Sequence, residues 1–160
     1  MFKKFIHVLL ASAALTGASV SNVQAADSCK PIGGVATANF YPEGEGRPII
    51  ISATMFGSVS HAAGKITAQR KTPTGLEMDM EHYFGTTESG GMWTKDLGIL
   101  TAIPGKSDRY MIEITYRIQE GVTRGTLKGY KGQFKSFGLV DLRDPSDMKG
   151  LVRYSGQICK

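Results

Sequence analysis

The chain has 160 residues, a formal net charge of +5, 21% charged residues and two cysteines. That is enough for one hydrophobic core and short for two once a leader is set aside. The positive residues are spread along the chain, and a nucleic-acid footprint would need a denser basic stripe with stacking aromatics beside it, so nucleic acid is excluded as a partner.

Residues 1–7 carry Lys3 and Lys4, residues 8–21 are mostly small and apolar, and Val23-Gln24-Ala25 places small residues three and one positions before a cut after Ala25. This layout predicts a secretory signal peptide over 1–25 and a single mature domain over 26–160, located in the periplasm or secreted. The apolar run is too short and too rich in Ala, Ser, Thr and Gly for a membrane span. In an oxidising compartment Cys29 and Cys159, nearly the first and last residues of the mature chain, read as a structural disulfide, with two free or intermolecular thiols as the alternative. The bond would require the first and last strands to lie side by side.

Residues 31–41 give a modest strand signal that includes Gly33 and Gly34, and 42–48 is a loop. Residues 48–59 are a stronger strand, His61 to Gly64 a turn, and 65–71 a short polar strand offering Ile66 and Ala68 to the core. After the turn at 73–75, Leu76, Met78, Met80, His82 and Phe84 point one way while Glu77, Asp79, Glu81 and Tyr83 point the other. This alternation places His82 on the inner face and sends the three carboxylates to solvent. A flexible turn follows, then one or two strands over 92–103 with Trp93 near the rim. In the tract 110–142, Tyr110, Ile112, Ile114, Tyr116 and Ile118 share one face. Further strands are expected over 122–127 and 133–142, 143–150 is a loop, and 151–158 is the last strand.

Eight or nine strands, short connections and no helix of note predict an all-β fold: a single closed antiparallel up-and-down barrel of about eight strands, with its termini joined by the disulfide. Outward Glu77, Asp79, Glu81, Glu113 and Arg117 argue against a membrane-spanning barrel, which needs an apolar outer band.

Gly125, Leu127, Gly129, Gly132 and Phe134, with His82-Tyr83-Phe84 and the tract from Thr94 to Gly98, resemble the second half of the allene-oxide-cyclase-like and dirigent-like barrels and their small bacterial exported relatives. The resemblance covers roughly residues 81–156. It implies an eight-stranded barrel with a central pocket, used in that superfamily for cyclising fatty-acid-like compounds, for orienting phenolic radicals, or for purposes unknown. No catalytic residue is transferred from it.

Met78, Met80, His82, Phe84, Trp93, Tyr110 and Tyr116 are the candidate ligand-binding residues, since Met, Phe and Tyr walls with one His suit an elongated or aromatic ligand. His82 has two further readings, a core residue satisfied by a carbonyl or hydroxyl and a proton-transfer group. No zinc, phosphate-loop, nucleophile-elbow or haem-attachment motif occurs, and Asp141, Asp144 and Asp147 lack the spacing of a calcium loop. No cofactor or metal is expected. The leading expectation is an exported barrel that binds a small apolar or amphipathic molecule without catalysis. A cyclase or isomerase and a protein-binding inhibitor are the alternatives, and a homodimer is compatible with all three.

Overall fold

The computed structural model describes residues 28–160. The expected leader and its cut after Ala25 lie outside the described residues. Eight strands follow in order: β1 (Cys29–Pro42), β2 (Ile49–Gly57), β3 (His61–Thr72), β4 (Gly75–Gly85), β5 (Gly91–Ala102), β6 (Arg109–Ile118), β7 (Lys131–Asp141) and β8 (Lys149–Cys159). Each pairs antiparallel with its neighbours in sequence, and β8 pairs back onto β1 to close the barrel. Closure leaves no unpaired strand edge, which is how a sheet with one apolar face can bury that face without helices.

Cys29 and Cys159 face each other in the β1–β8 register and form the expected disulfide across 130 positions of chain. The same corner depends on glycine. Gly34 sits at φ +154°, and a Cβ there would run into the carbonyl of Phe56 and come within 2.7 Å of the Tyr154 hydroxyl. Only a residue without a side chain lets β1 approach β2 this closely.

The connections β2–β3, β4–β5 and β6–β7 lie at the same end of the barrel as the two termini. Val59, Met92, Leu127 and Ile158 are buried there and plug that end. The other end, where β1–β2, β3–β4, β5–β6 and β7–β8 are joined, is ringed by partly buried Phe40, Ile49, Leu76, Tyr110 and Leu142.

Three local expectations are corrected. Residues 122–127 are not a strand: β7 pairs directly with β6, so the chain between them crosses the end of the barrel, with a single 3-10 turn at Gly125–Leu127 that drops Leu127 into the core. His61 to Gly64 is the start of β3 and not a turn, because Ala62 is a core residue opposite Ala53 and Phe84; the reversal is made by residues 58–60. Ala68 is exposed, since a β-bulge between Ile66 and Ala68 exchanges the faces of β3 and turns Ala68 outward opposite Asp79. Of the one or two strands expected over 92–103, residues 91–102 form one, and the barrel has the expected eight.

Candidate functional site

The interior has two unlike walls. On β4 to β7 the inward positions are large or polar: Met78, Met80, His82 and Phe84 on β4, Thr94, Asp96 and Leu100 on β5, Ile112, Ile114 and Tyr116 on β6, and Phe134, Ser136 and Val140 on β7. The facing strands interleave small residues, Ala36 and Ala38 from β1, Ala53 from β2, Ala62 from β3 and Gly150 from β8, with the larger Phe40, Ile51, Met55, Val152 and Tyr154. Small side chains opposite large ones leave a cavity of about 40 Å³ between them. That is room for a few waters at most, well below the roughly 300 Å³ at which drug-sized pockets begin. A second void of about 100 Å³ lies toward the ring of Phe40, Ile49, Leu76 and Leu142, and Phe40, Ile112 and Val140 border both spaces.

A polar belt crosses the large-residue wall. His82 donates or accepts through Nδ1 to Asp96 Oδ2 at 2.7 Å, with side chains 5% and 0% exposed. One strand further on, Tyr116 Oη and Ser136 Oγ are 3.0 Å apart and buried. The rings lock together around these groups: His82 meets Tyr116 edge-on at 5.6 Å between centroids, Phe84 meets it edge-on at 5.1 Å, and Phe134 stacks on it at 4.6 Å. On its other side His82 lies over Gly64, where a Cβ would come within 2.7 Å of Nε2. Gly64 is therefore what allows the ring to lie flat against β3.

Burial pushes the Asp96 carboxyl above the ordinary carboxylate range, and the hydrogen bond to His82 works against that rise. Its second oxygen, Oδ1, is buried without a hydrogen-bond partner among the described residues. With Nδ1 committed to Asp96, Nε2 is the ring nitrogen left for a molecule in the cavity. When Asp96 is ionised, Nδ1 donates and Nε2 of the neutral ring is an acceptor, suited to a hydroxyl or other O–H or N–H donor. Burial also pushes the Tyr116 phenol far above its usual value, so it is a neutral hydrogen-bonding group throughout the physiological range.

Of the seven residues expected to bind ligand, Met80, His82, Phe84 and Tyr116 line the first cavity and Met78 the second. Tyr110 is inward but sits at the open end, partly buried and apart from the polar belt. Trp93 does not join them. It stands on the outer wall, 39% exposed, tilted against Tyr83 at 5.0 Å, because its partner in the β4–β5 register is an outward residue. Glu77 and Asp79 are outward as expected and both bind Arg70, at 2.7 and 2.6 Å, which holds the Asp79 carboxyl below its usual range.

Asp96, Thr94 and Ser136 are the inward polar residues that sequence reasoning missed. The alternation that reveals Asp96 is present in β5, where Met92, Thr94, Asp96, Gly98 and Leu100 are buried. However, Trp93, Leu97 and Ile99 lie on the opposite, outer face, so the hydrophobic pattern alone points the wrong way. No protein-family model, curated protein or solved structure matches the chain significantly.

Proposed function

We propose that the protein is an exported barrel that carries a small apolar or amphipathic molecule in its interior, with the polar end of that molecule on His82. The observation that carries this reading is the set of alanines and Gly150 facing an aromatic and Met-lined wall, leaving a cavity lined by His82, whose Nδ1 is taken by Asp96. Methionine supports it further, since Met78 and Met80 stand where the two voids approach each other and unbranched thioethers re-pack at small cost. Joining the two spaces would make a narrow channel from His82 toward the open end, of a shape that suits a slender chain or a single ring. The resemblance to allene-oxide-cyclase-like and dirigent-like barrels favours the same kind of occupant.

Extraction of the protein purified from its own host, followed by mass spectrometry of the extract, tests this. The expected result is a bound molecule in near-stoichiometric amount that is lost from Ala62→Leu, whose larger side chain fills the cavity. An empty wild type that Ala62→Leu stabilises would mean that the void is only a packing defect, and the reading fails.

One observation favours a second reading. A carboxylate that orients an imidazole is the arrangement by which a histidine is held as a general base, so a cyclase or isomerase acting on a hydrophobic substrate would use His82 as the base and Asp96 to position it. His82→Gln, which keeps a polar group but cannot shuttle a proton at neutral pH, would then abolish turnover while retaining the bound molecule. Loss of both together favours the carrier.

A further inference from the structure

The outer wall of the barrel is as uneven as the inner one. Across β3 and β4 it is charged and internally paired: Lys65 with Glu81 at 3.2 Å, and Arg70 with Glu77 and Asp79. Across β6, β7 and β8 four exposed apolar residues cluster, with Glu113, Lys135 and Arg153 beside them. Phe137 and Leu139 on β7 are 56% and 55% exposed, Leu151 on β8 is 57% and Met111 on β6 is 41%. The register makes these residues contiguous, because Leu139 lies opposite Met111 on one side and Leu151 on the other. Such a patch exceeds the singly scattered apolar residues of an ordinary surface.

The register around β7 sets which residues a partner on this face would meet. Phe137 lies between Glu113 on β6 and Arg153 on β8, and Leu139 lies between Met111 and Leu151. A two-fold axis running along β7 in the plane of contact would lay β6 of one copy over β8 of the other. Each residue on β7 then meets its own counterpart: Phe137 on Phe137 and Leu139 on Leu139. Met111 meets Leu151, and Glu113 meets Arg153 twice over. Opposite charges fall together and like apolar groups fall together, as an isologous contact requires. Lys135, next along β7, is drawn off the axis by its 3.0 Å bond to Glu113, so that carboxylate would be bracketed by cations from both copies. The geometry points to a second copy of this chain as the occupant of the β6–β8 wall, in a two-fold dimer with Leu139 on the axis.

Because Leu139 would face itself, charge at that position tests the symmetry directly. Oxidised wild type, Leu139→Asp and Leu139→Lys would be compared by analytical ultracentrifugation at about 100 µM and low salt, with far-UV circular dichroism reporting that each variant is folded. The side chain is more than half exposed, so neither charge needs to be buried in the monomer. The expected result is a dimeric wild type, two monomeric single variants, each repelling its own kind, and a dimer restored on mixing Leu139→Asp with Leu139→Lys in equal amounts. A wild type that is monomeric or of any other order overturns the proposal, as does a wild type that partitions onto phosphatidylcholine vesicles in place of dimerising. Variants that remain dimeric singly, or a mixture that stays monomeric, overturn the axis and with it the assignment of this wall.

Discussion

Removing His82 while leaving Asp96 in place would strand a carboxylate in the barrel core, and the consequence depends on pH in a direction that can be worked out. The His82 and Asp96 side chains are 5% and 0% exposed and share one 2.7 Å hydrogen bond. Breaking a buried pair by deleting one partner costs about 3–5 kcal/mol, mostly through the uncompensated charge left behind. His82→Leu should therefore lower the urea midpoint at pH 7.5 by about 2 M, taking a slope of about 2 kcal/mol/M for a domain of this size. Burial raises the Asp96 carboxyl and His82 opposes that rise, so without the imidazole the carboxyl is raised further. A group whose folded-state pKa lies above its unfolded value contributes stability that is complete below the unfolded value and is lost as pH rises through the folded one. For an aspartate this loss begins at about pH 4 and grows upward. Comparison of His82→Leu with His82→Leu/Asp96→Asn isolates the carboxylate, since both lack the imidazole. The double variant should be clearly the more stable at pH 7.5, and the gap should close as pH falls toward 4. A gap that is the same at both pH values, or a double variant no more stable than the single one at pH 7.5, would refute the assignment of Asp96 as a buried acid held by His82.

Three further outcomes follow from the same interior. Gly64→Ala places a Cβ within 2.7 Å of both His82 Nε2 and the Glu81 carbonyl; it should cost about 1–3 kcal/mol through overpacking and shift the His82 ring resonances in NMR, whereas an unmoved ring would contradict the packing of His82 on β3. Tyr116→Phe leaves the Ser136 hydroxyl buried without its 3.0 Å partner and should cost about 1–3 kcal/mol in urea unfolding, while Tyr116→Phe/Ser136→Ala recovers most of it because no polar group is left unmade. Reduction of Cys29–Cys159 should release two titratable thiols where the unreduced protein shows none, and should lower stability by up to about 5 kcal/mol on chain-entropy reasoning for a loop this long; a small change would indicate that β1–β8 pairing already restricts the unfolded chain.

Strand by strand, the sequence was readable where solvent lies on one side and core on the other. β4 and β6 alternate legibly because most of their outward residues are charged, Glu77, Asp79, Glu81, Glu113 and Arg117, so the period of two assigns the inward set, His82 and Tyr116 included. The disulfide was readable for a simpler reason: a chain with two cysteines admits one intramolecular pairing. Closure of the barrel then followed from the positions of the two residues. The bulge in β3 leaves no comparable mark, since its extra residue is set by pairing to β4 and not by composition, and simple alternation from Ile66 puts Ala68 on the wrong face. Residues 122–127 carry strand-forming Val and Thr, yet β6 and β7 are already hydrogen-bonded to each other along their length, and the segment makes only an isolated antiparallel bridge, Arg124 to Gly91 at the start of β5.

β5 explains why half of the candidate site stayed hidden. Its outer face is apolar at Trp93, Leu97 and Ile99 and its inner face holds Thr94 and Asp96, so the polarity that identifies an inner face elsewhere is inverted. The inversion can be resolved only through the partner strands. Asp96 stands opposite Met80 on β4 and opposite Tyr116 on β6, both inward, and residues directly across an antiparallel pair share a face. The charged residue is stable there because His82, diagonally across β4, supplies a hydrogen bond that an apolar neighbour could not. Likewise Ile99, exposed on the outer face, lies opposite Glu113 at the edge of the apolar wall, so the same inversion that brings a carboxylate to the imidazole also extends the surface assigned to a second copy. β5 therefore contributes to both features of this protein that go beyond an ordinary barrel, Asp96 to the polar belt inside and Ile99 to the edge of the apolar wall outside.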